Sequence, residues 1–135
     1  MTASREQLKR DILAELDRVA DPHPMGSQDA YAARYVVRGA SDRDMEIMFQ
    51  KDAKSPPNLW CVASAVDADT IRELTPKEAP SNKLYVTVSS ATGKPQYGRH
   101  SGLEKMPQLG QADLLCFKID NLLALRRIIA CLKVA

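Results

Sequence analysis

The stretch "ARYVVRGASDRDMEIMFQK", residues 33–51, contains two runs of strand-forming residues on either side of a polar turn. The first run, over 33–38, is rich in β-branched and aromatic side chains, which predicts a β-strand. In the second run, apolar side chains recur at every other position, which predicts a strand with one buried face. The two alternating sets are Met45, Ile47 and Phe49 against Glu46, Met48 and Gln50. We therefore predict a β-hairpin at this point of the chain.

Further elements are predicted on both sides of this hairpin. Strands are expected at "LWCVASA" (59–65), "KLYVTVSS" (83–90, the clearest of all) and "DLLCFKI" (113–119), with a loop at "TPKEAPSN" (75–82). Apolar residues at helical spacing predict helices at both ends of the chain, over 5–20 and over 121–134. Shorter helices are expected over 67–74, capped by Asp67 or Asp69, and over 101–109, while Asn121 is the expected cap of the last helix.

The order of these elements mixes hairpins with at least one strand–helix–strand passage. This order predicts an α+β fold, a mostly antiparallel sheet of about five strands with the amino- and carboxyl-terminal helices packed on it. A chain of 135 residues is long enough to bury a core without disulfides or a metal, so we predict one domain over 1–135.

Composition excludes several classes of protein. No run approaches the roughly 18 apolar residues of a membrane span, and the charged amino terminus argues against a signal peptide. The three cysteines, Cys61, Cys116 and Cys131, are odd in number and lack C-x-x-C spacing, so we expect reduced, structural thiols and a cytoplasmic protein. With only two histidines and no local spacing of ligands, neither a metal nor a cofactor is expected.

Charge is unevenly distributed along the chain. Residues 1–82 carry 11 basic and 14 acidic side chains, a net of −3, whereas residues 83–135 carry 8 basic and 3 acidic ones, a net of +5. Such asymmetry is typical of a polyanion-binding face, although two arbitrary segments of a small protein often differ by several charges.

The basic part contains the glycine-punctuated stretch "GKPQYGRHSGLEKM", residues 93–106. Ser101 is expected to cap a helix whose free N–H groups favour anions, and the planar guanidinium of Arg99 suits a phosphate. The alternative is that Ser101 only caps the helix while Arg99 and His100 are solvated or pair with carboxylates. The candidate anion-binding residues are Lys94, Tyr97, Arg99, His100, Ser101 and Lys105, extended by Arg126 and Arg127 if the last helix lies near them.

Three functions from different classes fit these features. The leading hypothesis is a non-enzymatic binding module that recognises DNA or RNA through residues 93–106. The alternative is a protein-binding adaptor or inhibitor, of phage or mobile-element origin, that uses Trp60 and the acidic Asp42, Asp44 and Glu46. The third is an enzyme acting on a phosphoester or nucleotide with His100 as its general acid or base; because common catalytic motifs are missing, a non-enzymatic role is favoured.

The oligomeric state follows less directly from the sequence. The apolar side of the first helix could pack on the sheet or pair between chains, and periodicity does not distinguish the two. We expect a homodimer.

Overall fold

The computed structural model describes residues 3–28, 31–40, 43–84, 87–88, 91–97, 99 and 101–135. Within these residues there are three α-helices and eight strands. The helices are α1 (Ala3–Val19), α2 (Ala68–Leu74) and α3 (Leu122–Val134). The strands are β1 (Asp21–Pro22), β2 (Ala32–Arg38), β3 (Asp44–Gln50), β4 (Asn58–Val62), β5 (Lys77–Ala79), β6 (Thr87–Val88), β7 (Pro95–Gln96) and β8 (Leu114–Lys118).

Six of these strands form one antiparallel sheet in the order β1-β2-β3-β4-β8-β5. The predicted hairpin is confirmed, since β2 and β3 pair along their whole length with Tyr35 opposite Ile47. The strands β4 and β8 also pair directly, with Val62 opposite Leu114. The α+β class is therefore confirmed, with six strands in the sheet rather than about five.

The helices pack on one side of the sheet, here called the first face, which carries Ile47 and Phe49. Both side chains are fully buried against residues of α1 and α3. From α1 the buried residues are Ile12 and Leu16, and from α3 they include Leu125, Ile129 and Leu132. The amino- and carboxyl-terminal helices are thus packed on the sheet as predicted, and the apolar side of α1 is used within the chain.

The helices α2 and α3 begin directly after the caps that were predicted for them. The Asp67 Oδ1 atom accepts a 2.7 Å hydrogen bond from the Thr70 N–H, and the Asn121 Oδ1 atom accepts a 2.9 Å bond from the Ala124 N–H. These bonds satisfy N–H groups that have no partner inside the first helical turn.

The opposite side, the second face, is also buried, so the expectation that β3 has a single buried face is wrong. Met48 points to the second face and is fully buried among Leu103, Met106, Leu109 and Leu114. We call Tyr97, Arg99 and residues 101–112 the covering segment, because they supply most of this second layer. A central strand covered on both sides buries residues of both faces, whatever their alternation suggests, and from Met45 to Gln50 every residue of β3 is buried.

Two predictions around the covering segment need correction. The expected loop at 75–82 contains β5, which pairs with β8 at the edge of the sheet. The expected strand over 83–90 does not begin at residue 83, because residues 81–83 form a 3₁₀ turn and Leu84 has helical backbone angles. Only Thr87–Val88 is a strand there, paired with β7 outside the main sheet, and residues 85, 86, 89 and 90 lie outside the described ones. With β4 and β5 on its two sides, β8 offers no edge to a further strand.

The predicted helix over 101–109 is reduced to a 3₁₀ turn at Ser101–Leu103, followed by further turns. Pro107 explains this, because it disfavours helical backbone angles in the residue before it and has no N–H to donate. In the part of the chain that is described, no helix has the length and apolar character needed to cross a membrane.

Candidate functional site

Lys94 lies in an exposed turn that precedes β7. Residues 91–94 are all exposed, and Gly93 has a φ of +69°, which a glycine adopts without strain. The Lys94 N–H donates a 3.3 Å hydrogen bond to the Thr92 Oγ1 atom. The turn is therefore locally ordered and presents the lysine to solvent.

Tyr97 and Arg99 fasten the start of the covering segment to the rest of the protein. The Tyr97 O–H donates a 2.7 Å hydrogen bond to the Gly110 carbonyl, and its ring packs on the second-face cluster. The Arg99 guanidinium donates to the Leu109 carbonyl at 3.3 Å and to the Ala79 carbonyl of β5. Both side chains thus have structural contacts within the chain.

Arg34 of β2 holds the middle of the covering segment. Its guanidinium donates two hydrogen bonds to the Gly102 carbonyl, at 3.1 and 2.9 Å, and a third to the Gly26 carbonyl at 3.1 Å. Lys105 follows this anchored turn and is exposed. Sequence patterns gave no sign of the role of Arg34, because its partners are many positions away in the chain.

For two of the predicted site residues, the expected role stays a prediction. His100 lies outside the described residues, so its role as a candidate acid or base stays a prediction. Ser101 begins the 3₁₀ turn Ser101–Leu103, and its expected cap also stays a prediction.

Arg126 and Arg127 lie on α3, in the helical layer of the first face. Arg126 pairs with Glu15 of α1, with its Nε atom 3.1 Å from Oε2. Arg127 donates to the Thr70 Oγ1 atom of α2 at 3.2 Å and pairs with Glu73. The structure therefore does not bring these arginines together with the covering segment, which lies on the second face.

A buried histidine–glutamate pair lies beneath the covering segment, although Glu46 was expected only in an acidic protein-binding surface and His23 in no site. His23 and Glu46 are only 6% and 8% exposed, and the His23 Nε2 atom is 2.5 Å from the Glu46 Oε2 atom. The other carboxylate oxygen accepts from the N–H groups of Gln108 and Leu109, at 2.6 and 3.0 Å. The sequence signal for this pair was the polar Glu46 between the apolar Met45 and Ile47.

In the observed arrangement this pair has a structural role. The His23 Nδ1 atom accepts a 3.0 Å hydrogen bond from the Met25 N–H, so both ring nitrogens are occupied. A general base needs a nitrogen within reach of the substrate proton. The pair instead joins the turn after α1, the strand β3 and the covering segment, beside a cleft of about 400 Å³.

The residues proposed for a protein-binding surface are dispersed. Trp60 is half-buried, with its indole N–H donating to the Gln50 Oε1 atom at 2.9 Å. Asp44 pairs with Arg38 at 2.5 Å, Glu46 is buried, and Asp42 lies outside the described residues. Among the residues that are described, no group of three His, Cys, Asp or Glu side chains could hold a metal ion.

No family model, no curated protein and no solved structure matches the chain. The residues of the site itself are therefore the basis for a functional assignment.

Proposed function

We propose that the protein is a non-enzymatic module that binds a polyanion, DNA or RNA, through the outer surface of residues 93–106. The observation that carries the proposal is the exposure of Lys94 and Lys105 on a segment that is tightly anchored at Tyr97, Arg99 and Gly102. Anchored turns present charges at fixed positions, which reduces the entropy lost when a ligand binds.

The distribution of charge supports the same function. The basic part of the chain, residues 83–135, has a net charge of +5. Arg126 and Arg127 from this part pair with Glu15 and Glu73, which belong to the acidic part. Lys94 and Lys105 are thus exposed basic side chains of this part that the candidate surface offers to a ligand.

The experiment is a titration of fluorescein-labelled 12-nucleotide (dT)12, a 12-base-pair DNA duplex and a 12-nucleotide RNA, followed by fluorescence anisotropy at 50 and 200 mM salt. Binding that weakens steeply with salt is expected, because phosphate contacts release counterions. Absence of binding to all three at 50 mM salt would overturn the proposal.

The double substitution Lys94→Gln with Lys105→Gln tests the location of the surface. It should weaken binding to all three probes and reduce the salt slope by about one for each lysine that contacts a phosphate. The matched control is Lys133→Gln on α3, an exposed lysine in the opposite layer. Equal losses in the two variants would mean that binding is diffuse and has no site at residues 93–106.

A further inference from the structure

A small cavity lies on the second face where β4, β8 and β5 meet, and it encloses about 170 Å³. Its floor is a row of residues on three neighbouring strands, since Cys116 is opposite Trp60 on one side and opposite Lys77 on the other. Residues directly opposite each other in a sheet point to the same face. The other lining residues that the structure describes are Glu78, Ala79, Pro80, Leu84 and Arg99.

Trp60 supplies a fixed aromatic surface in this cavity. Its indole N–H bonds to Gln50, so the ring is held by its polar edge. The buried Leu84 and the ring of Pro80 add apolar wall. An anchored tryptophan beside aliphatic side chains is the kind of surface on which nucleobases stack.

The cavity also carries an excess of positive charge. Among the described lining residues, Lys77 and Arg99 stand against a single carboxylate, Glu78. Arg99 donates its two hydrogen bonds to neutral carbonyls, so these bonds do not neutralise its positive charge. A ligand with an anionic group next to a ring would therefore complement the cavity.

Size restricts the ligand further. A volume of about 170 Å³ is well below the roughly 300–1,000 Å³ of pockets for drug-sized ligands, so one ring system fits rather than a whole dinucleotide. We propose that the cavity takes one unpaired base of a single-stranded nucleic acid, stacked on Trp60, with a neighbouring phosphate beside Lys77 and Arg99. This inference rests on the proposed polyanion-binding function and adds a preference for single strands, because a base inside a duplex is stacked and paired and cannot enter a pocket.

The intrinsic fluorescence of Trp60, the sole tryptophan of the sequence, tests the inference directly. The probes are unlabelled (dT)12 and a 12-base-pair duplex, each added at 50 mM salt. Saturating (dT)12 is expected to quench Trp60, whereas the duplex binds without changing its emission. If both probes bind by anisotropy and neither changes Trp60 emission, the pocket inference is wrong and the proposed function stands. If neither probe binds, the proposed function fails and the inference fails with it.

Two substitutions separate stacking from general attraction. Trp60→Leu should weaken (dT)12 binding about tenfold, the scale of one lost base–aromatic stack, and leave duplex affinity unchanged, while Trp60→Phe should stay near the wild type. If circular dichroism shows that Trp60→Leu is unfolded, Lys77→Gln, at an exposed position of the edge strand, takes its place in the comparison of single strand with duplex. Equal losses for single strand and duplex in the folded variant would overturn the inference.

Discussion

At the scale of single residues, two arginines of this protein join parts of the chain that are distant in sequence. Arg99 and Arg34 both donate to main-chain carbonyls of the covering segment. Because a guanidinium has five donors in a planar fork, it can hold two strands of chain at once. A basic side chain in a loop therefore does not indicate by itself that a ligand binds there.

Replacing Arg99 is expected to lower the stability of the fold. In Arg99→Ala, the Ala79 and Leu109 carbonyls lose a charged donor, which costs about 1–3 kcal/mol of the free energy of unfolding. Urea denaturation followed by circular dichroism measures the loss. The control Lys94→Ala, at an exposed position, should stay within about 0.5 kcal/mol of the wild type. An Arg99→Ala protein as stable as the wild type would show that these bonds contribute nothing.

Glu46→Gln is expected to destabilise the protein through a conflict of donors. Both oxygens of the Glu46 carboxylate accept hydrogen bonds, one from the His23 Nε2–H and the other from two main-chain N–H groups. A glutamine has only one such oxygen, so its N–H₂ group would face one of these donors. A buried unsatisfied donor costs about 1–3 kcal/mol. The matched control is Glu78→Gln, which changes the same group at an exposed site. Equal midpoints of urea unfolding for the two variants would contradict this role of Glu46.

At the scale of elements, the helices α1, α2 and α3 and the central hairpin were predictable because their causes are local. Asp67 and Asn121 cap the helices that the sequence assigns to them, and the alternation in β3 identified a strand. The strand β5 was not predictable, since three residues with Lys77 and Glu78 have no apolar period and pair only because β8 is next to them. The second buried face of β3 was missed for a similar reason, because its cover comes from residues about 55 positions later.

The cap of α3 gives an element-scale prediction. Asn121→Ala should cost about 1 kcal/mol of stability, because the Ala124 N–H loses its side-chain acceptor, whereas Asn121→Asp keeps an acceptor and should cost little. Thermal or urea unfolding of the two variants measures the difference. Equal stability of Asn121→Ala and the wild type would show that water replaces the cap without loss.

At the scale of the whole molecule, ion pairs join the acidic and basic parts of the chain. Arg126 bonds to the Glu15 carboxylate and, as the largest cause, lowers the pKa of Glu15 below its usual 4.5. Asp67 has a pKa lowered by hydrogen bonds from Thr70, and Asp113 has one lowered by those from Ser81. The charge asymmetry between the two parts of the sequence is thus partly compensated by ion pairs inside the fold.

These shifts predict a loss of stability in acid. A carboxylate whose pKa is lower in the folded state contributes stability above its unfolded pKa, and that contribution is lost as the pH falls through the folded value. The free energy of unfolding should therefore decrease below about pH 4.5, the ordinary pKa of a glutamate. Arg126→Met should lower the stability near pH 7 and make its decrease in acid smaller. An unchanged pH profile in that variant would remove Glu15 from the acid response.

The burial of the cysteines leads to a second prediction for the molecule as a whole. All three are free and buried, and burial raises the pKa of Cys61 to about 12 and that of Cys116 to about 11. Because the thiolate is the reactive form, native protein at pH 8 should leave these two thiols unmodified by a thiol reagent, and urea should expose them. Mass spectrometry of the labelled peptides checks this. Rapid native labelling of Cys61 would show that the first-face core opens readily.

The expected homodimer remains a prediction. Since Ile12 and Leu16 are fully buried within one chain, a dimer would need a surface other than the apolar side of α1. Light scattering at several protein concentrations measures the oligomeric state.

The direct pairing of β4 with β8 has a consequence for how this protein could change. Val62 and Leu114 are opposite each other, and the Ala63 N–H donates to the Asp113 carbonyl at 2.9 Å, so residues 63–113 begin at the end of β4 and return to the same point at the start of β8. Closing a long loop costs little more entropy than closing a shorter one, because the cost grows only with the logarithm of length. The whole excursion, which carries β5, the lysines and the covering segment, is in effect an insertion in a hairpin. Evolution or an engineer could exchange it for another sequence that covers Met48, keeping the other five strands of the sheet while giving the molecule a different surface.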